Sequence, residues 1–277
     1  MQRVSNIMPY FRKELGDIFG DREALNWAYL TIDYFLGYNR ADCIVHSDKF
    51  IKIEISDKLK DVVIDLKSNK PIQYILGKTE FYGLKIALNN HVLIPRSETE
   101  ELVDWVLEED FNSALDIGTG SGCIAIALAK YSDAKISAID ISEYALRLAK
   151  ENMILNNVDL NLFRQDIFEN KLIDKVDLIV SNPPYVLESE KRYMHKNVLD
   201  FEPHMALFVS DDDPLVFYKR IINIATESLY TEGRLFFEIN ENFSNELINI
   251  LGQTGFVDIE LKKDINDKDR MVKAIWK

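Results

Sequence analysis

Ser181-Asn182-Pro183-Pro184-Tyr185 is the segment of this 277-residue chain whose residue types carry the most chemistry. Two successive prolines fix φ twice and hold the preceding residue extended, so the loop is stiff. They also lack N–H groups, which leaves carbonyls free to accept hydrogen bonds. Such a loop suits a planar amide or amino group. Its nitrogen lone pair is delocalised, and no ordinary side chain deprotonates it beforehand. The Asn182 side-chain oxygen and the Pro183 carbonyl can each take one N–H, orienting the nitrogen and offsetting the positive charge that grows on it during a transfer. Tyr185 can stack on the amide plane or on the nascent cation, and Pro184 completes the wall. No histidine or carboxylate base is required next to the loop, because alignment is the main demand. The plainer alternative is a rigid strand-to-loop turn with Tyr185 as a packing aromatic.

Leu115-Asp116-Ile117-Gly118-Thr119-Gly120-Ser121-Gly122 follows an apolar run and precedes a helical one. Glycines at such a junction let a ligand approach the backbone and let the chain turn into a helix N-terminus. The spacing Gly118, Gly120, Gly122 departs from the Gly-x-Gly-x-x-Gly dinucleotide fingerprint. Asp116, just ahead of the first glycine, suits a cationic ligand better than a pyrophosphate. Asp140 closes the next apolar run, where an acid can accept from both hydroxyls of a ribose. It could instead cap a helix, although Ser142 is better placed for that. Asp166 and Ile167, after the third run, lie where an adenine edge and face can be met, or form an ordinary strand-end turn. An adenosine with a charged, non-phosphate tail fits these residues, and S-adenosylmethionine is such a molecule.

These groups need a scaffold that brings strand ends together. The apolar runs Ser113–Ile117, Lys135–Asp140, Leu160–Gln165, Val176–Ser181, Arg234–Ile239, Val257–Lys262 and Met271–Trp276 read as strands. Helical patterns such as Leu102–Glu109, Cys123–Tyr131, Glu143–Asn156 and Pro214–Tyr230 fill gaps between them. Such alternation predicts an α/β fold with a mostly parallel sheet covered on both faces. Only a turn separates the last two strands, so they pair antiparallel. Residues 1–75 show three- and four-residue apolar spacing and read as a small helical bundle. Residues 76–95 read as a β-hairpin linker, with short strands expected at Tyr74–Gly77 and Glu80–Leu88, and 96–277 as the catalytic domain.

Composition narrows the function. The chain is 47% hydrophobic and 29% charged, with a net charge of −13, which excludes disorder and a fibrous repeat. Residues 1–90 carry 13 basic and 12 acidic side chains; residues 91–277 carry 20 and 34. The second part therefore repels a phosphate backbone. Met1 to Asp21 lacks the apolar core of a secretory signal, and no run approaches the ~20 apolar residues of a membrane helix. A cytoplasmic location with no membrane partner is expected. Cys43 and Cys123 lie far apart without a partner motif, and His46, His91, His195 and His204 lack ligand spacing, so neither a disulfide nor a metal is expected.

The glycine turn with Asp140 resembles that of class I S-adenosylmethionine-dependent methyltransferases, and Asn182–Tyr185 resembles the Asn-Pro-Pro-Tyr motif of amino-group methyltransferases. Pro71–Gly77, Glu80–Gly83, Ile94–Glu100 and Phe201-Glu202-Pro203 are similar to segments of the release factor glutamine methyltransferases. That resemblance implies a Rossmann-like seven-stranded sheet with its last strand antiparallel, preceded by a helical substrate-docking domain. It implies N5-methylation of the glutamine in the Gly-Gly-Gln motif of class-1 peptide chain release factors, with S-adenosyl-L-homocysteine as product. Carried over residue by residue, Gly118, Thr119, Gly120, Ser121, Gly122 and Asp140 meet the cofactor, Ile167 the adenine, and Asn182, Pro183, Pro184 and Tyr185 the glutamine. Phe81 and the Arg96–Glu100 segment wall the site, or else pack the domain linker. Ser97 stands where the family usually has Pro, and Asn240 where it commonly has Gly.

Three other readings compete. An amino-methyltransferase acting on adenine or cytosine must flip its base and hold a polyanion, against the acidity of residues 91–277. Lys191, Arg192 and Lys196 form a local basic patch that could contact RNA near a release factor or simply be a solvated helix face. A non-catalytic adaptor would have little use for an intact Asn182, Pro183 and Tyr185. A nicotinamide oxidoreductase is disfavoured by the glycine spacing. DNA is thus not an expected partner, and a monomer is the default.

Overall fold

Apolar residues three and four apart wind the first third of the chain into helices. The computed structural model describes residues 3–169 and 174–277. Its first helices are α1 (Ile7–Phe19), α2 (Asp21–Leu36), α3 (Arg40–Val45), α4 (Ile53–Lys67) and α5 (Ile72–Leu76). Asp21 and Glu23 sit in the first turn of α2, where the helix dipole favours negative charge. The Asn39 side chain caps α3 by accepting from the Ala41 and Asp42 N–H groups. Ile7, Phe11, Leu15, Ala28, Ile32, Leu59, Val63 and Leu66 form a common buried core. Residues Met1–Gly77, with His195–Phe201, make one compact unit; Lys78–Met194 and Glu202–Lys277 make the other.

The strand expected at Tyr74–Gly77 is instead the end of α5. Pro71 presets its own φ at the N-cap. Ile72 and Leu76 are one helical turn apart and both buried, and Gly77 closes the helix in the left-handed region at φ 67°. In five residues a single i, i+4 apolar pair looks much like strand alternation.

The second unit opens with a hairpin, β1 (Lys78–Phe81) and β2 (Leu84–Ala87), turned through Tyr82 and Gly83 at positive φ. Helix α6 (Ser97–Leu107) begins five residues earlier than the apolar pattern predicts. Its first turn is polar, with Glu98 and Glu100 at the positive end of the helix dipole, so hydrophobic periodicity does not reveal it. Then follow β3 (Ser113–Ile117), α7 (Cys123–Tyr131), β4 (Lys135–Asp140), α8 (Glu143–Leu155), β5 (Asn161–Arg164) and β6 (Val176–Ser181). A short pair, β7 (Val186–Leu187) and β8 (Phe208–Val209), brackets α9 (Lys196–Phe201) and α10 (His204–Leu207). The chain ends with α11 (Val216–Ser228), β9 (Leu229–Glu238), α12 (Ser244–Thr254), β10 (Phe256–Lys263) and β11 (Asp269–Trp276).

Seven strands form one sheet in the order β10-β11-β9-β6-β3-β4-β5. Pairs β9–β6–β3–β4–β5 are parallel, while β11 runs against both β9 and β10, as the short final connection requires. From β3 the chain first builds toward β4 and β5, then returns to the other side with β6. The order reverses between β3 and β6, and the crevice at the carboxyl ends of such strands is where open α/β sheets take ligands. Leu115, Ile179, Leu235, Phe237 and Val272 pack against Tyr218, Ile222 and Leu251 in the core that fixes those ends.

Candidate active site

The turn after β3 has Gly118, Gly120 and Gly122 at φ 76°, 56° and 82°. It is pinned to the neighbouring strand because the Gly118 and Thr119 N–H groups both donate to the Ile139 carbonyl, at 2.9 and 3.1 Å. The glycines do different work. A Cβ on Gly122 would lie 3.0 Å from both Ala149 Cβ and Ile126 Cδ1, so its absence lets α8 pack against the start of α7. A Cβ on Gly118 or Gly120 would meet nothing within 4 Å. Those two face open space.

That space is a cavity of about 360 Å³. Of the residues singled out in the sequence, Arg96, Gly118, Thr119, Gly120, Ser121, Asp140, Asp166, Ile167, Asn182, Pro183 and Pro184 line it. The ends of β3, β4, β5 and β6 thus contribute to a single concavity, with Ile117, Ile139 and Phe217 adding apolar wall. Asp140 accepts from the Gly120 N–H through Oδ2 and from the Ser142 N–H through Oδ1, both at 2.8 Å. Each carboxylate oxygen keeps lone-pair capacity for a further donor. Burial raises the Asp140 pKa despite these bonds. Ser142, not Asp140, caps α8, accepting from the Ala145 N–H at 3.2 Å. Asp166 accepts from the Phe168 N–H and so holds the turn after β5.

Seven expected site residues do not line the cavity: Ser97, Glu98 and Glu100 of the Arg96–Glu100 segment, and the four that follow. Asp116 is fully buried behind the glycine turn, where its Oδ2 accepts from the Thr119 hydroxyl at 2.6 Å and its Oδ1 has no hydrogen-bond partner. Burial, with a smaller push from Asp140, raises its pKa to about 7. It braces the turn rather than facing a cation. Gly122 serves helix packing, as above. Phe81 is 1% exposed and closes the hairpin opposite Leu84. Tyr185 packs against the sheet core, and its hydroxyl donates to Glu238 Oε1 at 2.9 Å. Its pKa lies well above the ordinary tyrosine value, through burial first and the neighbouring Glu238 charge second.

Glu238, which sequence reasoning passed over, and Thr99, Asn240 and Glu202, which it named only within motifs or as a departure, support the same wall. Glu238, the last residue of β9, is 1% exposed and also accepts from the Thr99 hydroxyl at 2.6 Å. Thr99 in turn accepts from Asn182 Nδ2 at 3.2 Å. Asn240 donates through Nδ2 to the Tyr185 carbonyl at 3.1 Å, which gives the departure from glycine a structural role in fixing the two-proline loop. Glu202, nearly buried, pairs with Arg96 at 2.6 Å and accepts from the Ile94 N–H at 3.2 Å, holding the chain ahead of α6. The signal for Glu238 was its place at the end of an apolar run, the place Asp140 has on β4. Cys43 and Cys123 are both free and buried. Among the described residues, no helix is long and apolar enough to cross a membrane.

Residues 97–200 match the Methyltransferase small domain. The chain is 43% identical over 281 residues to the release factor glutamine methyltransferase of Flavobacterium psychrophilum, covering 98% of each chain. It is 42% identical over 276 residues to the protein of the same name from Bacteroides thetaiotaomicron, covering 98% of this chain and 99% of that one. A crystal structure of a methyltransferase from Pyrococcus furiosus shares the fold with a TM-score of 0.56 at 18% identity, across 78% of this chain and 98% of that one. Near end-to-end identity at this level, joined to a methyltransferase sheet with its cavity at the strand ends, means that the chain belongs to the release factor glutamine methyltransferase family.

Proposed function

We propose that this chain transfers the methyl group of S-adenosylmethionine to the N5 amide nitrogen of the glutamine in the Gly-Gly-Gln motif of class-1 peptide chain release factors. The observation that carries the reading is that Asn182 and Pro183 open onto the same cavity as the glycine turn and Asp140. The cavity has the size expected of a small-molecule site, at the lower end of the range of roughly 300–1,000 Å³. The open cradle over Gly118 and Gly120 accepts a ligand that any side chain there would displace. Asp140 would take the ribose hydroxyls, Asp166 and Ile167 the adenine, and Gly118 to Ser121 the amino-acid tail. When bound, S-adenosylmethionine supplies a methyl carbon activated by a sulfonium.

The chain's own residues then have one task, to present a poor nucleophile in line. Asn182 Oδ1 and the Pro183 carbonyl each accept one N–H of the glutamine amide, which fixes the plane of the nitrogen and its distance from the donor. Those acceptors also stabilise the charge that develops as the lone pair is used. The surplus proton leaves to water after transfer. Tyr185 supports this indirectly, since Glu238 and Asn240 tie it to the sheet and so stiffen the loop. Residues 1–75 would dock the release factor, and such a partner would place the enzyme in the cytoplasm.

A transfer to adenine or cytosine has weaker support, given the excess of acidic residues beyond position 90. One experiment separates the readings. The protein is incubated with methyl-labelled S-adenosylmethionine and, in parallel, a release factor, its Gly-Gly-Gln→Gly-Gly-Ala version, and DNA. Label is expected in the intact release factor alone. Label in DNA would favour the nucleic-acid reading, and none anywhere would favour a non-catalytic adaptor.

A further inference from the structure

The two ends of a carboxamide are nearly the same shape, so packing does not decide which one faces a ligand; the hydrogen-bond network does. For Asn182 the choice matters. Its oxygen can accept from a substrate amide, whereas its NH2 would confront that amide with a second donor. The residues around it settle the choice. The Thr99 hydroxyl carries a single hydrogen. It is committed to Glu238 Oε2 at 2.6 Å, a short bond to a buried acid. Thr99 Oγ1 can then only accept on its remaining side, and the one donor that Asn182 can offer is Nδ2, found there at 3.2 Å. The other end of the carboxamide, Oδ1, is the one left for the cavity that Asn182 lines. Glu238 is itself held in place by a second donor, the Tyr185 hydroxyl on Oε1.

We propose that Thr99 and Glu238 are positioning residues whose relay locks the Asn182 carboxamide with its oxygen toward the substrate. The relay runs in one direction. Its sink is Glu238 at the end of β9, its middle is Thr99 in the first turn of α6, and its output is the acceptor on the loop after β6. Without the hydroxyl at position 99, nothing in the relay tells one end of Asn182 from the other. Without the acceptor at position 238, the Thr99 hydrogen is released to donate to Asn182 Oδ1, which turns the NH2 outward. This inference rests on the amide-gripping reading above and adds what sets the polarity of the grip.

The test is Thr99→Val, which keeps the branched shape and deletes the hydroxyl, beside Thr99→Ser, which restores it. The expected result for Thr99→Val is a loss in kcat of about 10- to 100-fold, the scale of a misplaced reacting group. KM for release factor and the affinity for S-adenosylhomocysteine should stay within about threefold, as expected when an interaction of the transition state alone is lost. Thr99→Ser should recover most of the rate. In the unliganded protein labelled with ¹⁵N, the Asn182 side-chain NH2 resonances should move in Thr99→Val and return in Thr99→Ser. Glu238→Gln offers one acceptor where two donors compete. It should also lower kcat, and combining it with Thr99→Val should cost no more than the worse single change. A Thr99→Val enzyme that transfers at the wild-type rate while wild type labels release factor would refute the relay and leave the proposed function standing. A Thr99→Ser enzyme as slow as Thr99→Val would also refute it, and a wild-type protein that labels no release factor would overturn both.

Discussion

Asp116 offers the sharpest test of how the glycine turn is built, because its charge has almost nothing to balance it. It is fully buried, one oxygen bonds the Thr119 hydroxyl, and the other has no partner. Burial dominates and lifts the folded-state pKa to about 7, while the Thr119 bond pulls the other way. An unfolded chain holds an aspartate near its ordinary value of ~3.9. Between those two values the folded state binds the extra proton, so stability falls as pH rises, by ~1.4 kcal/mol per pH unit, and levels off above the folded pKa. Across the whole window the loss comes to about 4 kcal/mol. Asp116→Asn preserves the shape and removes the titration. The stability of wild type minus that of the variant, from urea unfolding, should therefore drop by about 2 kcal/mol between pH 5.5 and pH 8.5, with about four-fifths of the drop complete by pH 7. Asp140 and Glu238 are also raised by burial, but both proteins contain them, so only the small Asp116–Asp140 coupling survives in the difference. Profiles that run parallel to within about 0.5 kcal/mol would refute the reasoning, since an uncompensated buried carboxylate cannot stay ionised without cost.

Asp140→Ala removes the acceptor assigned to two ribose hydroxyls, and at ~1.5–3 kcal/mol per hydrogen bond to a charged group it should weaken S-adenosylmethionine binding by more than about 100-fold by calorimetry. Asn182→Ala should change that affinity far less while abolishing transfer; equal losses of affinity would remove the amide-gripping role from Asn182. Gly122→Ala forces contacts at 3.0 Å with α7 and α8, so urea unfolding should show a cost of ~2–4 kcal/mol, against ~1–2 kcal/mol for the unclashing Gly120→Ala. A Gly120→Ala protein as unstable as Gly122→Ala would contradict the division of labour among the glycines. Arg96→Ala strands the buried Glu202 carboxylate and should cost about 3 kcal/mol, whereas Glu202→Gln leaves a half-exposed Arg96 free to find water and should cost about 1 kcal/mol. The reverse order in urea would mean that the Arg96–Glu202 pair does not hold the chain ahead of α6.

The strands that build the crevice were legible because β4 and β6 are apolar runs ending in a polar residue and β3 is one ending at a glycine, so period and punctuation agree there. Failures came where identity depends on a distant partner. Thr99 and Glu238 are 139 residues apart, and no local pattern joins them. Asp116 and Asp140 look alike in sequence, each an acid near the end of a strand. One lies behind the glycine turn and the other opens into the cavity, a difference set by side-chain direction and by how the turn folds back on Ile139. Phe81 was expected at the wall from the family resemblance and Tyr185 as a stacking aromatic, and packing took Phe81 into the hairpin core and tied Tyr185 to Glu238. Asn240 carried no readable meaning until the Tyr185 carbonyl was found beside it.

The acids explain each other once their places are known. Asp116, Asp140 and Glu238 stand near the carboxyl ends of β3, β4 and β9, and hydroxyl or backbone N–H groups bond each of them. Of the three only Asp140 lines the cavity, joined there by Asp166, and these two carboxylates favour ligands bearing N–H groups, O–H groups or positive charge. A polyphosphate brought to the same crevice would meet acceptors and like charge. The excess of acidic residues beyond position 90 and the chemistry at the strand ends thus point the same way. The acids that line the cavity therefore disfavour a phosphate-bearing ligand and suit a cationic one before any ligand arrives.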